Sequence, residues 1–133
     1  MLTHPDQTPF ELASRIFNER DWRGDCYEVA GRLATESGGF FTLVHGEPLG
    51  TGGAAQGLRY GHAWTEFEVM GVEFVLDLTF GESPLPKQLY YLKGKISKTV
   101  RYTREEAVKQ ILKTRHWGPW SRKLKNSAHN NEG

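Results

Sequence analysis

Apolar residues recur at helical spacing near the start of the chain, where Phe10, Ala13 and Phe17 line up with Leu12 and Ile16. Thr8, Pro9 and Glu11 give this stretch an N-cap, a proline at the first helical position and a capping box, predicting a helix from about Pro9 to Arg20. A second helical stripe, Val29, Ala30 and Leu33, begins after Asp25, with Glu28 three positions further on. Asp25 is expected to accept a first-turn amide, and Gly38-Gly39 to close the helix. This places Cys26 at the first helical position.

The period then changes. Phe40 to His45 is aromatic and β-branched between glycines and predicts a strand. The glycine-rich run from Gly46 to Gly61 is expected to be a long mobile loop, of the kind that covers substrate or merely connects. His62 to Val69 and Val72 to Phe80 alternate about Met70-Gly71, which predicts a β-hairpin. Val72, Phe74, Leu76, Leu78 and Phe80 are expected to form one apolar face. Glu82 to Lys87 is expected to be a turn or loop, and Lys98 to Tyr102 a further strand. Thr103 and Glu106 form another capping box, opening a helix with Ala107, Val108, Ile111 and Leu112 on its apolar side and Gly118-Pro119 as its latest stop. Ser121 to Gly133 carries almost no apolar residues and is expected to be a frayed tail. The organisation is one domain over residues 1–120 followed by a polar tail at 121–133.

Length and charge narrow the picture. The 133 residues suffice for one hydrophobic core, and 17 basic against 16 acidic side chains leave a net charge of +1. Such a balance argues against an electrostatic nucleic-acid binder, the basic run Arg122 to Lys125 reading as part of a solvated tail. A single cysteine forms no internal disulfide. The N-terminus has neither the basic start nor the apolar run of a signal peptide, and no stretch has the length of a membrane span. The expectation is a reduced, soluble, cytoplasmic protein without membrane partners, of open oligomeric state.

The hairpin supplies chemistry. With a two-residue turn at Met70-Gly71, Val69 faces Val72, His62 lies opposite Thr79 and Asp77 opposite Trp64. His62 and Asp77 then share a sheet face as diagonal neighbours, about 7–8 Å apart at the backbone. A histidine beside a carboxylate is a base with its orienter, the acid fixing the tautomer and stabilising the imidazolium. A cysteine at a helix N-terminus is the complementary nucleophile, because the dipole and a nearby histidinium lower thiol pKa values to roughly 3.5–7.5.

Cys26 in GDCYEVA, then His62, Trp64 and Glu66, then Asp77 and Thr79 in GHAWTEFEVMGVEFVLDLTFG resemble the transglutaminase-like superfamily of cysteine enzymes. The resemblance covers roughly residues 20 to 81. It implies an α+β fold, with N-terminal helices and a nucleophile helix packed on an antiparallel sheet in a papain-like core. It also implies acyl-group chemistry through a thioester on a peptide, isopeptide or glutamine amide, with Cys26 as nucleophile, His62 as base and then acid, and Asp77 as orienter. No cofactor is implied. Tyr27 follows the cysteine where many relatives carry tryptophan. Trp22, Asn18 and Tyr27 are candidates for a side-chain oxyanion donor, and Trp64, Tyr27 and Trp22 for substrate binding, with packing the stronger reading of Trp64.

Other readings compete with this one. Cys26 alone reads as a small buried hydrophobe, and His62 alone as a structural histidine. His45 with Cys26, His62 and Asp77 would make a zinc site, but short paired ligand spacings are missing, so no metal is expected. The glycines of residues 46 to 61 do not form a phosphate loop. Among functions, a protease or deamidase on a peptide or protein substrate is favoured. The alternatives are a crosslinking or acyl-transferring enzyme, an arylamine N-acetyltransferase relative, and a non-catalytic binding or inhibitor protein on the same fold.

Overall fold

A computed structural model describes residues 7–121. The residues expected to form the tail, from 122 on, lie outside the described residues. Among those described, four helices surround one five-stranded sheet: α1 Pro9–Phe17, α2 Cys26–Glu36, α3 Lys87–Gly94 and α4 Arg104–Thr114, with β1 Thr42–Glu47, β2 His62–Val69, β3 Val72–Leu76, β4 Leu85–Pro86 and β5 Ser97–Tyr102. The strands run in the order β4-β3-β2-β1-β5, every neighbouring pair antiparallel. The chain is α+β, with α2 the helix that carries Cys26.

Both capping boxes form. In α1 the Glu11 amide donates to the Thr8 hydroxyl at 3.1 Å, and the Thr8 amide to the Glu11 carboxylate at 2.8 Å. Thr103 and Glu106 do the same for α4. Helix α1 stops at Phe17, short of the expected Arg20. The Trp22 indole N–H claims the Ile16 carbonyl at 2.8 Å while its ring enters the core, so the chain has to turn back. Asp25 occupies the N-cap of α2 but its side chain makes no capping bond. Its carboxylate is held instead by Arg20, five residues earlier, at 2.8 Å, an attraction that the cap pattern does not reveal.

The β2–β3 hairpin has the expected register from Val69↔Val72 to Thr65↔Leu76. Met70 and Gly71 both take positive φ (53° and 82°), the two-residue turn whose twist matches that of the flanking strands. Beyond Leu76 the strand ends, so the continuous apolar face expected through Phe80 does not form. Leu76 and Leu78 are buried, whereas Val72 and Phe80 face solvent.

The sheet is covered on both sides, which explains why β2 is buried from His62 through Phe67 despite its alternating sequence. One core joins Leu12, Ile16 and Trp22 to Val29, Leu33, Phe41 and Phe67. On the other face Val44, Trp64 and Val75 pack against Tyr90, Tyr91 and Ile96. A third cluster seats α4 through Ala107 against Ala30, Ala34 and Leu43. Leu112, expected on that helix's apolar side, is exposed.

Two connecting segments differ from expectation. The glycine-rich loop is closed on itself: Gly50 donates to Leu58 at 2.7 Å, Gly57 to Gly50 at 3.0 Å and Tyr60 to Pro48 at 3.2 Å. The Arg59 guanidinium fastens its base to the carbonyls of Glu47 and Lys95. The segment Glu82 to Lys87 contains the edge strand β4, where a proline is tolerated because no ladder donor is needed, and leads into α3.

Gly46 lies opposite His62 in the ladder, and a Cβ added there would meet the Trp64 ring at 2.4 Å. Gly46→Ala is expected to destabilise the fold by about 1–3 kcal/mol through overpacking. Gly52→Ala, where a Cβ meets nothing within 4 Å, should stay within about 0.5 kcal/mol of wild type. Urea unfolding of the two variants checks both.

Candidate active site

Three elements end at one point. Cys26 opens α2, His62 opens β2, and Asp77 is the first residue after β3. Asp77 leaves the ladder because its side chain takes over: its carboxylate accepts the Thr79 amide at 3.1 Å and the Thr79 hydroxyl at 2.5 Å on Oδ1. Its other oxygen lies 2.7 Å from His62 Nε2 and accepts the Tyr90 hydroxyl at 2.6 Å. All four contacts belong to a buried carboxylate, which must be hydrogen-bonded to remain charged.

With Nε2 committed to Asp77, Nδ1 is the ring nitrogen left to exchange a proton with a neighbour. Cys26 is half-buried and close enough to His62 to bias its protonation. The thiol, His62, Tyr27, Tyr60, Thr79 and Phe80 line a cavity of about 400 Å³. Around the imidazole stand Phe80 at 5.5 Å and Tyr60 and Trp64 at 6.0 Å, measured between ring centres.

Burial acts on His62 to lower its pKa, but the Asp77 and Cys26 side chains together outweigh it and push the value up to about 10. Burial acts on Asp77 in the raising direction, and the bonds from His62, Thr79 and Tyr90 reverse that, holding its carboxyl below the ordinary range. The pair therefore favours imidazolium beside carboxylate.

The expected site residues separate into two groups. Cys26, His62 and Asp77 come together, and Tyr27 lines the same cavity, its ring set edge-on to His45 at 4.9 Å. Trp22 does not reach the site: it is a core residue, with the Arg20 guanidinium 3.8 Å over its ring. Asn18 caps α1 by donating to the Ser14 carbonyl at 2.9 Å and is likewise elsewhere. Trp64 has no exposed surface for a substrate to stack on. It supports the site from beneath, its indole N–H donating to Glu66 at 2.9 Å.

Glu66 anchors a second polar network. Its buried carboxylate also accepts from Tyr91 and Arg101 and has Lys87 at 3.4 Å. Burial would raise the Glu66 pKa, but Tyr91, Trp64 and Arg101 hold it low. His45, by contrast, is fully buried against the rings of Tyr27, Tyr102 and Trp120, with neither ring nitrogen hydrogen-bonded. Burial lowers its pKa to about 3, so it is neutral packing material. Among the described residues no three His, Cys, Asp or Glu side chains form a group able to hold a metal ion. None of the described helices is long and apolar enough to cross a membrane.

Sequence reasoning missed Tyr60 and Tyr90. Tyr60 stands two residues before His62, where its proximity was available as a signal. Tyr90 belongs to α3, which the apolar pattern does not reveal.

The sign of each shift sets a pH window. His62, raised from 6.5 to about 10, contributes stability that is fully present below 6.5 and lost as pH rises through about 10. Asp77, lowered from 3.8, contributes stability that is present above 3.8 and lost as pH falls through its depressed value. The Asp77→Asn variant should therefore lose on the order of 5 °C in Tm between these limits, and converge on wild type toward either end. Calorimetric scans across pH check this. In Cys26→Ala the His62 titration, followed by NMR, should move to lower pH, since one of the groups raising it is gone. Among proteins of known family, curated function or solved structure, none matches this chain.

Proposed function

We propose that the protein is a cysteine-dependent acyl-group enzyme with a papain-like, transglutaminase-like core, acting on a peptide or protein amide and most readily as a hydrolase. The observation that carries this reading is the 2.7 Å His62–Asp77 bond at the wall of a cavity that also holds the Cys26 thiol. A histidine paired with a carboxylate for structural reasons alone does not need a half-buried thiol at a helix start beside it.

In this reaction the thiolate form of Cys26 attacks the amide carbonyl carbon, and the protonated His62 gives its proton to the leaving nitrogen. A histidine held in the protonated form by Asp77 suits that acid role. Water then attacks the thioester with His62 as base, releasing the acid and regenerating the thiolate beside the protonated His62. The oxyanion needs donors, and the first turn of α2 offers them. Because Asp25 is paired with Arg20 and does not cap the helix, the amides beside Cys26 have no side-chain acceptor there. Hydrolysis is favoured over crosslinking because water requires no second docking surface. A free thiol nucleophile also suits a reducing compartment such as the cytoplasm.

Intact-mass analysis of glutamine-containing peptides incubated with wild type and Cys26→Ala tests the proposal. A mass gain equal to amide-to-acid conversion means deamidation, and cleavage means a protease. A joined product means transfer. Each should vanish in Cys26→Ala, and Asp77→Asn should lower kcat by about 10²–10⁴-fold. Conversion of no peptide, together with Cys26 alkylation by iodoacetamide at equal rates in wild type and His62→Ala, would leave a binding protein as the remaining reading.

A further inference from the structure

His62 forms part of the wall of two cavities. The first, described above, contains Cys26. The second, about 290 Å³, shares His62, Tyr60 and Phe80 with it but does not reach Cys26, and it is enclosed mainly by Leu49, Leu85, Tyr90 and Ile96. Its size lies near the lower end of small-molecule pockets, roughly 300–1,000 Å³, and suits one side chain. No carboxylate lines it, and Lys93 stands at its edge without an ion-pair partner among the described residues. The cation of the first cavity differs, since Arg23 is engaged by Asp21 at 2.6 and 3.0 Å.

Chemistry fixes which part of a substrate belongs where. In attack by Cys26 the acyl carbon is bonded to sulfur, while the leaving nitrogen must lie where His62 can protonate it. A pocket walled by His62 and not by Cys26 offers room for the part of the substrate that leaves with the His62 proton. We propose that this pocket receives an apolar amino acid bearing a free α-carboxylate, which pairs with Lys93. This rests on the acyl-enzyme reading above and specifies its substrate: an acyl–amino acid or peptide with an apolar C-terminal residue. The Sγ–carbon bond forms as the carbon–nitrogen bond breaks, and the amine leaves with the His62 proton. Water adds to the thioester carbon, the carbon–sulfur bond breaks, and the protons of water restore His62 and end on the carboxylic acid product. The products are that acid and the free apolar amino acid.

The test uses one acyl peptide ending in Leu, Phe, Lys or Asp, each as free acid and as C-terminal amide, with release of the final residue measured. The Leu and Phe acids should exceed Lys and Asp by roughly tenfold or more in kcat/KM. Amidation should reduce the Leu and Phe values about fivefold through KM, and Lys93→Ala should abolish that difference. Binding of leucine against leucinamide to Cys26→Ala, followed by NMR, reads the pocket without chemistry. Turnover with equal rates for acid and amide, or a difference that survives Lys93→Ala, overturns the pocket assignment. Preferential binding of leucine to Cys26→Ala with no turnover by wild type retains the pocket and removes the enzyme. Neither binding nor turnover removes both.

Discussion

Everything near the candidate site depends on keeping one buried carboxylate charged. Asp77 has almost no contact with solvent, and an isolated ionised carboxylate there would cost far more than the domain's stability could absorb. The chain answers with four contacts from three directions: the turn that follows, through Thr79; the start of β2, through His62; and α3, through Tyr90. Meeting this requirement ends β3, turns the chain toward β4 and orients the imidazole. The site is thus a by-product of satisfying Asp77, and its geometry is as rigid as that network.

Glu66, four residues after His62 in β2, obeys the same rule. Tyr91 and Lys87 reach it from α3, Arg101 from β5 and Trp64 from within β2. Two consecutive tyrosines of α3 therefore each serve a different buried acid, which fixes that helix's position on the sheet despite its exposed leucines. Trp64 lies between the networks, its N–H on Glu66 and its ring beneath His62. His45 shows the other solution to burial. Without a polar partner it gives up its proton, and its ring is used for packing against Tyr27, Tyr102 and Trp120.

What was legible in the sequence was what short-range physics decides. Capping boxes at Thr8 and Thr103, the Met70-Gly71 turn and the hairpin register all depend on residues a few positions apart, and the register alone sets His62 and Asp77 on one face. What could not be read depends on distant partners. Helix α3 presents Leu89 and Leu92 to solvent and turns partly buried tyrosines to the sheet, so no apolar stripe announces it. Trp22 resembled a site residue by its distance from Cys26 in the chain, whereas the Ile16 carbonyl and Arg20 place it in the core. The glycines of the β1–β2 connection suggested looseness, yet their backbone groups pair with one another across the loop.

Asp25 shows how a stabilising opportunity can be left unused to good effect. A capping aspartate is worth about 1 kcal/mol to a helix, and Asp25 stands at the right position to provide it. Arg20 diverts its carboxylate, and Arg20 also reaches Glu28 one turn into the helix. The first-turn amides of α2 are thereby left without a capping side chain at the point where Cys26 begins the helix. A capping carboxylate there would compete for the amides that a developing oxyanion requires, and would oppose negative charge on sulfur. In the proposed reaction, the Arg20–Asp25 pair keeps the helix start available for substrate, while the Asp77 network on the opposite side of the cavity keeps the proton on His62.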